Sequence, residues 1–356
     1  MHLNFHPLRI SSRVFAADDA VCLTLAVPDA LRSEYDFSPG QHVALRATLA
    51  GKEVRRTYSI LNGAPVGELR LGIRVQPRGG LSNFLAHEAK VGDTIDALGP
   101  TGRFTYSEST RADRYCLALA AGSGITPILS IVTAMLERDA ESRVVLFYSN
   151  RTVAHTMFAE DLLALKNRFL DRLAVHFIMS REPQEMEIFN GRLDGAKLTE
   201  FSGKLFDPSA VDEVFVCGPG DMVSSCRETL TTLGVLAPIH FERFTTATGA
   251  AVTRAEAIAT TGHTATVTVI QDGRRRKFKM TADDESVLAA AERAGLDLPY
   301  SCRAGVCSTC RVKLIKGRVT LQHNVALEDW ELAAGFILAC QARPTEPELE
   351  LSYDEK

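Results

Sequence analysis

Four of the chain's eight cysteines lie near the C-terminus with a spacing that suits a metal centre. Cys302, Cys307 and Cys310 are separated by four and then two residues, and Cys340 follows thirty positions after Cys310. Two sulfide-bridged irons need four thiolates, and C-x4-C-x2-C…C is the plant-type pattern that supplies them. Gly305 relieves crowding where the backbone approaches such a group. The spacing therefore predicts a [2Fe–2S] cluster on these four cysteines.

Two other interpretations of the cysteine tract stay open: a zinc site and a set of buried structural thiols. Zinc accepts four thiolates but favours two C-x2-C pairs, which this tract lacks, and no Cys-x-His pair suggests a Rieske centre. The other four cysteines occur in apolar strand or helix contexts and are expected to be small core residues. They are Cys22, Cys116, Cys217 and Cys226.

Two motifs in the first hundred residues carry groups that suit a flavin nucleotide. In Arg56-Thr57-Tyr58-Ser59, strand alternation places Arg56 and Tyr58 on one side and Thr57 and Ser59 on the other. An arginine can hold a phosphate, a tyrosine can stack on a flat ring and a serine can bond a ring edge. Gly79-Gly80-Leu81-Ser82-Asn83-Phe84 then opens a helix whose free N–H groups suit a diphosphate. Alone, each motif is equally an ordinary strand or turn.

Two glycine turns in the middle of the chain suit a nucleotide. In LALAAGSGITPILS (117–130), a buried strand leads through Gly122 and Gly124 into a helix, so that a ligand can approach the first turn closely. Cys217-Gly218-Pro219 follows the strand VFV in the same way. A generic strand-to-helix connection explains either turn by itself, whereas their order favours a binding site.

The pattern of apolar and polar residues changes along the chain and predicts segments with different folds. Residues 1–108 alternate as short strands and predict an antiparallel β-barrel, and 109–245 alternate buried strands with helices and predict a parallel-sheet α/β domain. The Thr- and Ala-rich stretch 246–263 is expected to be a linker. Residues 264–356 hold an Asp-Gly hairpin signal, a helix and the cysteine tract, and predict an α+β ferredoxin domain of β-grasp type.

The bulk composition is that of a globular protein, with 46% hydrophobic residues and a net charge of -4. This charge does not suggest a nucleic-acid or lipid-headgroup surface. No stretch reaches the ~18 apolar residues of a membrane span, and the N-terminus lacks an export signal, so a cytoplasmic location with reduced thiols is expected.

The flavin motifs resemble the ferredoxin–NADP reductase superfamily, whose barrel binds FAD through an R-x-Y-S strand and a diphosphate loop. The resemblance implies that Arg56 and the loop Gly80–Ser82, which contains Leu81, hold phosphates. It also implies that Tyr58 stacks on the isoalloxazine and that Ser59 approaches its reactive edge, with Thr57 in the same FAD-binding strand.

The glycine turns resemble the same superfamily. Thr126 would lie between flavin and nicotinamide, and Cys217, Gly218 and Pro219 would lie near the point of transfer. HFERF (240–244) resembles the family's terminal strand, which makes Glu242 and Phe244 possible neighbours of the flavin. No residue is a certain acid or base: Ser59, Thr126, Cys217 and Glu242 are candidates beside the reacting rings.

The resemblance places Asn150 and Arg151, after the strand VVLFYS, near the adenosine ribose. A cation there favours a 2′-phosphate, and the segment lacks an acidic residue for a free 2′-hydroxyl, so NADPH is expected, with NADH as the alternative.

Barrel, nucleotide domain and C-terminal ferredoxin in this order resemble the reductase components of multicomponent oxygenases, and most closely the reductases of ring-epoxidising phenylacetyl-CoA monooxygenases. The resemblance implies electron flow from NAD(P)H through FAD to the cluster and on to a di-iron oxygenase. Flavin suits the middle position because it accepts a hydride and releases single electrons. Reductases of steroid 9α-hydroxylases share the architecture; a redox sensor without turnover and a stand-alone reductase of small molecules stay open.

Overall fold

The computed structural model describes residues 4–61, 67–76, 80–106, 113–244 and 264–355, which form two compact units. One comprises the described parts of His6–Val54 and Tyr58–Thr246, and the other those of Met1–Phe5, Arg55–Thr57 and Ala247–Lys356. The predicted linker 246–263 lies outside the described residues. The division into three domains stays a prediction.

The first unit contains a closed barrel of six strands in the order β1-β2-β5-β4-β3-β6, with antiparallel neighbours as the sequence predicted. Alternate side chains such as Leu23, Leu25 and Leu71 fill its interior and are fully buried. The strands are β1 (Phe5–Ala17), β2 (Ala20–Ala26), β3 (His42–Leu49), β4 (Lys52–Leu61), β5 (Glu68–Arg74) and β6 (Thr94–Leu98).

The helix expected after β5 is short. A single α turn, α1 (Leu81–Asn83), runs directly into a π turn at Phe84–Glu88. Gly80, which precedes α1, has a φ of 90°. Glycine adopts this backbone conformation without strain because it has no side chain.

The same unit contains a five-stranded parallel sheet, as predicted, in the order β11-β10-β7-β8-β9. The first strand of this sheet along the chain, β7, is the central one. Strands β8 and β9 follow on one side of it, and β10 and β11 follow on the other. The strand order therefore reverses between β7 and β10, and in such sheets ligands bind in the crevice at the carboxyl ends of these two strands. The elements are β7 (Tyr115–Ala121), α2 (Ile125–Arg138), β8 (Arg143–Asn150), α3 (Ala159–Arg168), β9 (Leu173–Met179), α4 (Gly195–Phe201), β10 (Glu213–Gly218), α5 (Gly220–Thr232) and β11 (Ile239–Arg243).

The second unit is a mixed sheet in the order β13-β12-β18-β14-β16, with a separate pair of strands, β15 and β17. The predicted Asp272-Gly273 hairpin joins β12 to β13, and both residues have positive φ, as a type I′ turn requires. The elements are β12 (Ala265–Gln271), β13 (Arg274–Met280), α6 (Val287–Arg293), β14 (Arg311–Lys316), β15 (Val319–Leu321), α7 (Asp329–Ala333), β16 (Phe336–Leu338), β17 (Ala342–Pro344) and β18 (Glu348–Ser352).

Among the described residues, each helix is too short or too polar to cross a membrane. Short 3₁₀ turns occupy Asp29–Glu34, Gly122–Gly124, Val153–His155, Glu187–Phe189 and Pro208–Ala210.

A buried charge network ties the amino ends of the parallel strands together. The Arg114 guanidinium, 8% exposed, donates to Asp139 at 2.6 Å and to Glu213 at 2.8 Å, and both carboxylates are nearly as buried. Tyr106, beyond the last barrel strand, donates to Asp139 at 2.6 Å. Because a buried carboxylate is costly without a partner, these contacts hold the base of the sheet in one arrangement.

Replacing Arg114 with Met should lower the free energy of unfolding of the first unit by about 3–5 kcal/mol, because two buried carboxylates lose their cation. Urea titration would measure the change. Arg143→Met is the matched control: this exposed arginine begins β8 at the same end of the sheet and should change stability by less than about 0.5 kcal/mol. Equal losses in both variants would contradict a stabilising role for the network.

Candidate functional site

The nucleotide motifs meet at the reversal point of the parallel sheet. A Cβ added to Gly124 would lie 2.2 Å from the carbonyl oxygen of Cys217, so the turn after β7 packs directly on the end of β10. Gly122 has a φ of 54°, and its carbonyl accepts a hydrogen bond from Tyr148 Oη at 3.0 Å. These contacts bring Gly122, Gly124, Cys217 and Gly218 together, as a nucleotide crevice requires.

One barrel strand reaches the same turn. A Cβ at Gly72 of β5 would lie 2.3 Å from Cγ2 of Thr126 and 2.9 Å from the Phe158 ring. Thr126 is 1% exposed, and its hydroxyl donates to the Ser123 carbonyl at 2.9 Å. Thr126, in the first turn of α2, therefore packs directly against β5, and its place between flavin and nicotinamide stays a prediction.

Cys217 is fully buried, and its register partner in β11 is Glu242. Burial, reinforced by the charge of Glu242, raises the pKa of the Cys217 thiol well above its usual value. The thiol is therefore protonated at neutral pH. A neutral buried thiol packs and excludes water, whereas an acid–base role would need a pKa near the working pH.

Glu242 also faces a histidine of the barrel. His42 Nδ1 lies 3.6 Å from Glu242 Oε1, while His42 Nε2 and Glu242 Oε2 are buried without a hydrogen-bond partner. Buried polar atoms are almost always paired in native proteins. Because Glu242 is the register partner of Cys217, these two atoms can pair with polar atoms of a ligand near the end of β10.

The flavin motif residues differ in their surroundings. Ser59 is 4% exposed, Tyr58 packs partly against the barrel core, and Thr57 is half-buried. Arg56 is exposed, and its guanidinium donates to the Arg55 carbonyl at 2.7 Å. The exposed side chain of Arg56 can turn toward a phosphate. The buried hydroxyl of Ser59 can bond a flavin only if the edge of the ring lies against the strand.

The diphosphate loop is partly described, because Gly79 lies outside the described residues. Open space surrounds the position of a Cβ on Gly80, and Leu81 is buried. Ser82 is also buried, and its hydroxyl oxygen accepts the Gln76 N–H at 3.1 Å, which ties the loop to the end of β5. The first N–H groups of α1 lack intrahelical acceptors and can face an anion.

The two predicted ribose residues, Asn150 and Arg151, lie at the carboxyl end of β8, next to the end of β9. Asn150 is 6% exposed, and its Nδ2 has no hydrogen-bond partner, whereas Arg151 is exposed. The Arg151 carbonyl accepts the Arg181 N–H at 2.9 Å, so a second exposed arginine adjoins it. Glu182, which follows β9, accepts the Val153 N–H at 2.8 Å and brings to this edge a carboxylate that the local sequence did not reveal.

In the second unit the four cysteines form two pairs. Cys302 N–H donates to Cys307 Sγ at 3.5 Å, and the thiols of Cys310 and Cys340 are hydrogen-bonded. Among the described residues, no three His, Cys, Asp or Glu side chains gather as they would around one ion. The Gln341 amide donates to the Arg303 carbonyl and so brings the segment of Cys340 to the loop of the other three cysteines, and the role of the four as cluster ligands stays a prediction.

The surroundings of the cysteines favour the thiolate form of Cys302 and Cys340 but not of Cys307 and Cys310. The hydrogen bond from Cys307 lowers the pKa of Cys302 to about 5, aided by nearby N–H groups such as that of Ala304, 3.3 Å from Sγ. The bond from Cys310 likewise lowers the pKa of Cys340, while Cys307 and Cys310, as the donors, have raised pKa values.

Backbone conformation shapes this loop. Gly305 has a φ of 73°, and a Cβ there would lie 2.7 Å from the His323 carbonyl oxygen. Arg303 and Ser308 also have positive φ, at 55° and 49°, although neither is glycine. Such conformations persist where surrounding contacts hold them and are concentrated at ligand sites.

Several contributors to these sites escaped sequence reasoning. Gly72 lies inside a strand pattern, a position that signals a close backbone approach. His42 and Gln341 carried no motif; the Gln341 amide donates to the Arg303 carbonyl at 2.8 Å and lies 3.6 Å from Cys340 Sγ. Only the fold brings such residues to the sites.

Family models match the chain in three successive segments. They describe an oxidoreductase FAD-binding domain at 7–106, an oxidoreductase NAD-binding domain at 118–228 and a 2Fe-2S iron-sulfur cluster binding domain at 269–345. The matches agree with the predicted cofactors and their order.

Two curated relatives are similar over nearly the whole chain. A subunit of the 1,2-phenylacetyl-CoA epoxidase of Escherichia coli is 40% identical over 99% of this chain and 98% of its own length. The ferredoxin reductase component of 3-ketosteroid-9-alpha-monooxygenase from Mycobacterium tuberculosis is 34% identical over 98% of this chain and 96% of its own.

Solved structures share the fold at low identity. Phthalate dioxygenase reductase is similar with a TM-score of 0.56 and 23% identity, covering 98% of both chains. An intact type IV self-sufficient cytochrome P450 monooxygenase gives a TM-score of 0.69 and 23% identity over 98% of this chain and 41% of its own.

Replacing Gly124 with Ala should slow the reduction of the flavin by the nicotinamide nucleotide. The new methyl group cannot fit beside the Cys217 carbonyl and must push the turn outward. A misplaced reacting pair costs on the order of 100-fold in rate, which stopped-flow flavin reduction would measure. Gly220→Ala is the matched control, since a Cβ there meets only Arg243 Cδ, at 3.9 Å. Unchanged reduction in Gly124→Ala would show that this close approach is dispensable.

Proposed function

We propose that this chain delivers electrons to the oxygenase of a phenylacetyl-CoA epoxidase. The chain belongs to the reductases of ferredoxin–NADP reductase type that carry a C-terminal [2Fe–2S] ferredoxin domain. The observation that carries the proposal is the 40% identity to the Escherichia coli epoxidase subunit along almost the entire length of both chains. The steroid-monooxygenase reductase is the second candidate, at 34% identity with similar coverage.

The chain is an oxidoreductase that uses FAD, a nicotinamide nucleotide and a [2Fe–2S] cluster. When bound, these groups supply hydride acceptance followed by single-electron transfer. Gly122 and Gly124 let the nucleotide approach the carboxyl end of β7, and Thr126 keeps it against the barrel. Buried Ser59 and Cys217 exclude water from the reacting rings.

Glu242 and His42 complete this side of the proposed site. Their buried unpaired atoms can bond the polar edges of bound rings, and their separation of 3.6 Å allows one to orient the other. Arg56 and the loop Gly80–Ser82 are proposed to hold the flavin phosphates. Cys302, Cys307, Cys310 and Cys340 are proposed to hold the cluster, two thiolates to each iron.

The proposed partner is a di-iron oxygenase. Reconstitution with purified oxygenase components of phenylacetyl-CoA epoxidase and of a steroid 9α-hydroxylase would test it. We expect coupled product formation with the former and at least 10-fold less with the latter. The reverse preference would assign the chain to steroid hydroxylation, and cluster reduction without steady turnover with any acceptor would indicate a redox sensor.

In the same assay, Cys307→Ser should abolish coupled product while flavin reduction by NADPH stays within about 2-fold, because one iron loses half of its thiolate ligands. Cys226→Ala is the control, since this fully buried cysteine lies in α5 of the other unit. Equal loss of flavin reduction in Cys307→Ser would refute a serial path through the cluster.

We propose NADPH as the preferred donor because Arg151 and Arg181 present two exposed guanidinium groups at neighbouring strand ends. Replacing Arg151 with Ala should lower kcat/KM for NADPH by about 10- to 100-fold, the value of a charged hydrogen bond, and change the NADH value by less than about 3-fold. Arg143→Ala, at the opposite end of β8, is the control. Equal losses with both nucleotides would argue against a 2′-phosphate contact.

A further inference from the structure

Tyr353 extends the last strand of the second unit and turns its side chain toward the interior. In β18 the side chains of Leu349 and Leu351 are buried, and strand alternation puts Tyr353, two positions further on, on the same side. The Tyr353 N–H donates to the Ile270 carbonyl at 2.9 Å, so the pairing of β18 with β12 continues to this residue. The side chain is partly buried and packs against the core of the unit.

Strand pairing brings Tyr353 to two of the four cysteines. The last residue of β18 is paired with Lys313 of β14, so Tyr353 continues toward the start of β14, which Cys310 directly precedes. The Cys310 carbonyl accepts the Ala339 N–H at 3.1 Å, which brings the segment of Cys340 to the same place. Both cysteines belong to the core against which the Tyr353 ring packs.

The hydroxyl group of Tyr353 is buried and has no hydrogen-bond partner among the described residues. Buried tyrosine hydroxyls usually find a partner, and an unpaired one is costly. Burial, reinforced by the negative charges of the Cys310 and Cys340 sulfurs, raises the pKa of Tyr353 well above its usual value. The hydroxyl therefore keeps its proton and is a hydrogen-bond donor beside two cysteines.

A second buried hydroxyl lies next to the cysteines. Ser301, 4% exposed, directly precedes Cys302, and its Oγ likewise lacks a partner among the described residues. Both hydroxyls can donate, so they need acceptors that the described part of the chain does not offer. The sulfides and thiolates of a [2Fe–2S] cluster would be such acceptors. The two hydroxyls therefore fit the cluster that the cysteines are proposed to hold.

The backbone fixes the position of Tyr353 on both sides. Asp354, the next residue, accepts the N–H groups of Asp272 at 2.7 Å and of Gly273 at 2.9 Å, so it is clamped to the hairpin between β12 and β13. Its own N–H donates to the hydroxyl of Ser352, which is buried. A donor held in this way needs little rearrangement when the charge beside it changes. Residues that surround metal ligands in this way orient the ligands and tune the metal.

We propose that Tyr353 donates a hydrogen bond to a sulfur on the Cys310–Cys340 side of the [2Fe–2S] cluster and thereby raises the reduction potential of the cluster. Reduction adds one electron, so a hydrogen bond to sulfur stabilises the reduced state more than the oxidised state. The bond makes it easier for the cluster to take an electron from the reduced flavin. The inference rests on the proposed ligation of the cluster by the four cysteines.

The test is a redox titration of the full-length chain with its cofactors bound, in which electron paramagnetic resonance measures the reduced cluster. Tyr353→Phe removes the hydroxyl and keeps the ring. We expect the equilibrium constant for cluster reduction to fall about 3- to 10-fold, where 10-fold corresponds to about 59 mV for one electron. Tyr115→Phe, which removes a hydroxyl from β7 of the first unit, is the matched control and should leave the potential unchanged. An equal fall in both variants would contradict a local hydrogen bond.

Fluorination tests the same hydrogen bond in the opposite direction. Fluorine on the ring makes a phenol a stronger donor, so growth with 3-fluorotyrosine should raise the potential of wild type but not that of Tyr353→Phe. An unchanged potential in labelled wild type, with a normal cluster spectrum, would overturn the hydrogen bond even if Tyr353→Phe held no cluster.

The outcomes separate this inference from the proposals on which it rests. The titration needs no oxygenase, so an unchanged potential with an intact cluster refutes the role of Tyr353 alone. Cys340→Ser should change the absorption and resonance spectra of the cluster, and unchanged spectra there would refute the ligand assignment instead. Failure of wild type to couple with either oxygenase would refute the proposed partner without altering the potential.

Discussion

The turn after β7 lies so close to the carboxyl end of β10 that a single methyl group would not fit between them. Gly124 makes this approach possible, because a Cβ there would lie 2.2 Å from the Cys217 carbonyl oxygen. This contact packs the turn Gly122–Gly124 onto Cys217, and strand pairing puts Glu242 beside Cys217. On the other side, Gly72 allows a barrel strand to approach Thr126 in the same way. Hydride transfer tolerates little misplacement, and backbone contacts position groups more firmly than flexible side chains do.

The cysteine loop depends on a similar constraint with different chemistry. The loop has positive φ angles at Arg303, Gly305 and Ser308 and turns backbone N–H groups toward sulfur, as the proposed convergence of four thiolates would require. Contacts from the segment before α7 hold this conformation through the Gly305 carbonyl. A loop that holds its thiolates beforehand reduces the rearrangement that accompanies cluster binding and electron transfer.

The two units differ in fold and in the surroundings that they give to their proposed ligands. The first buries its polar atoms around Cys217, where rings would meet in the absence of water. The second buries Cys307, Cys310 and Cys340 but leaves Cys302 partly exposed, so its cysteine loop lies at the surface of the unit. An electron carrier needs both, because its donor is a small molecule held in a crevice and its proposed acceptor is another protein.

The sequence by itself determined the cofactor set and the fold of each piece. Cysteine spacing predicted the cluster, the order of short motifs predicted flavin and nucleotide, and strand alternation predicted the barrel and the parallel sheet, because these signals consist of neighbouring residues. Only the tertiary structure decided which distant residues share a site. His42 and Glu242 are two hundred positions apart, and Gly72, beside Thr126, lacks any motif. Spacing along the chain specifies which chemistry is possible, whereas folding alone sets the distances at which that chemistry can occur.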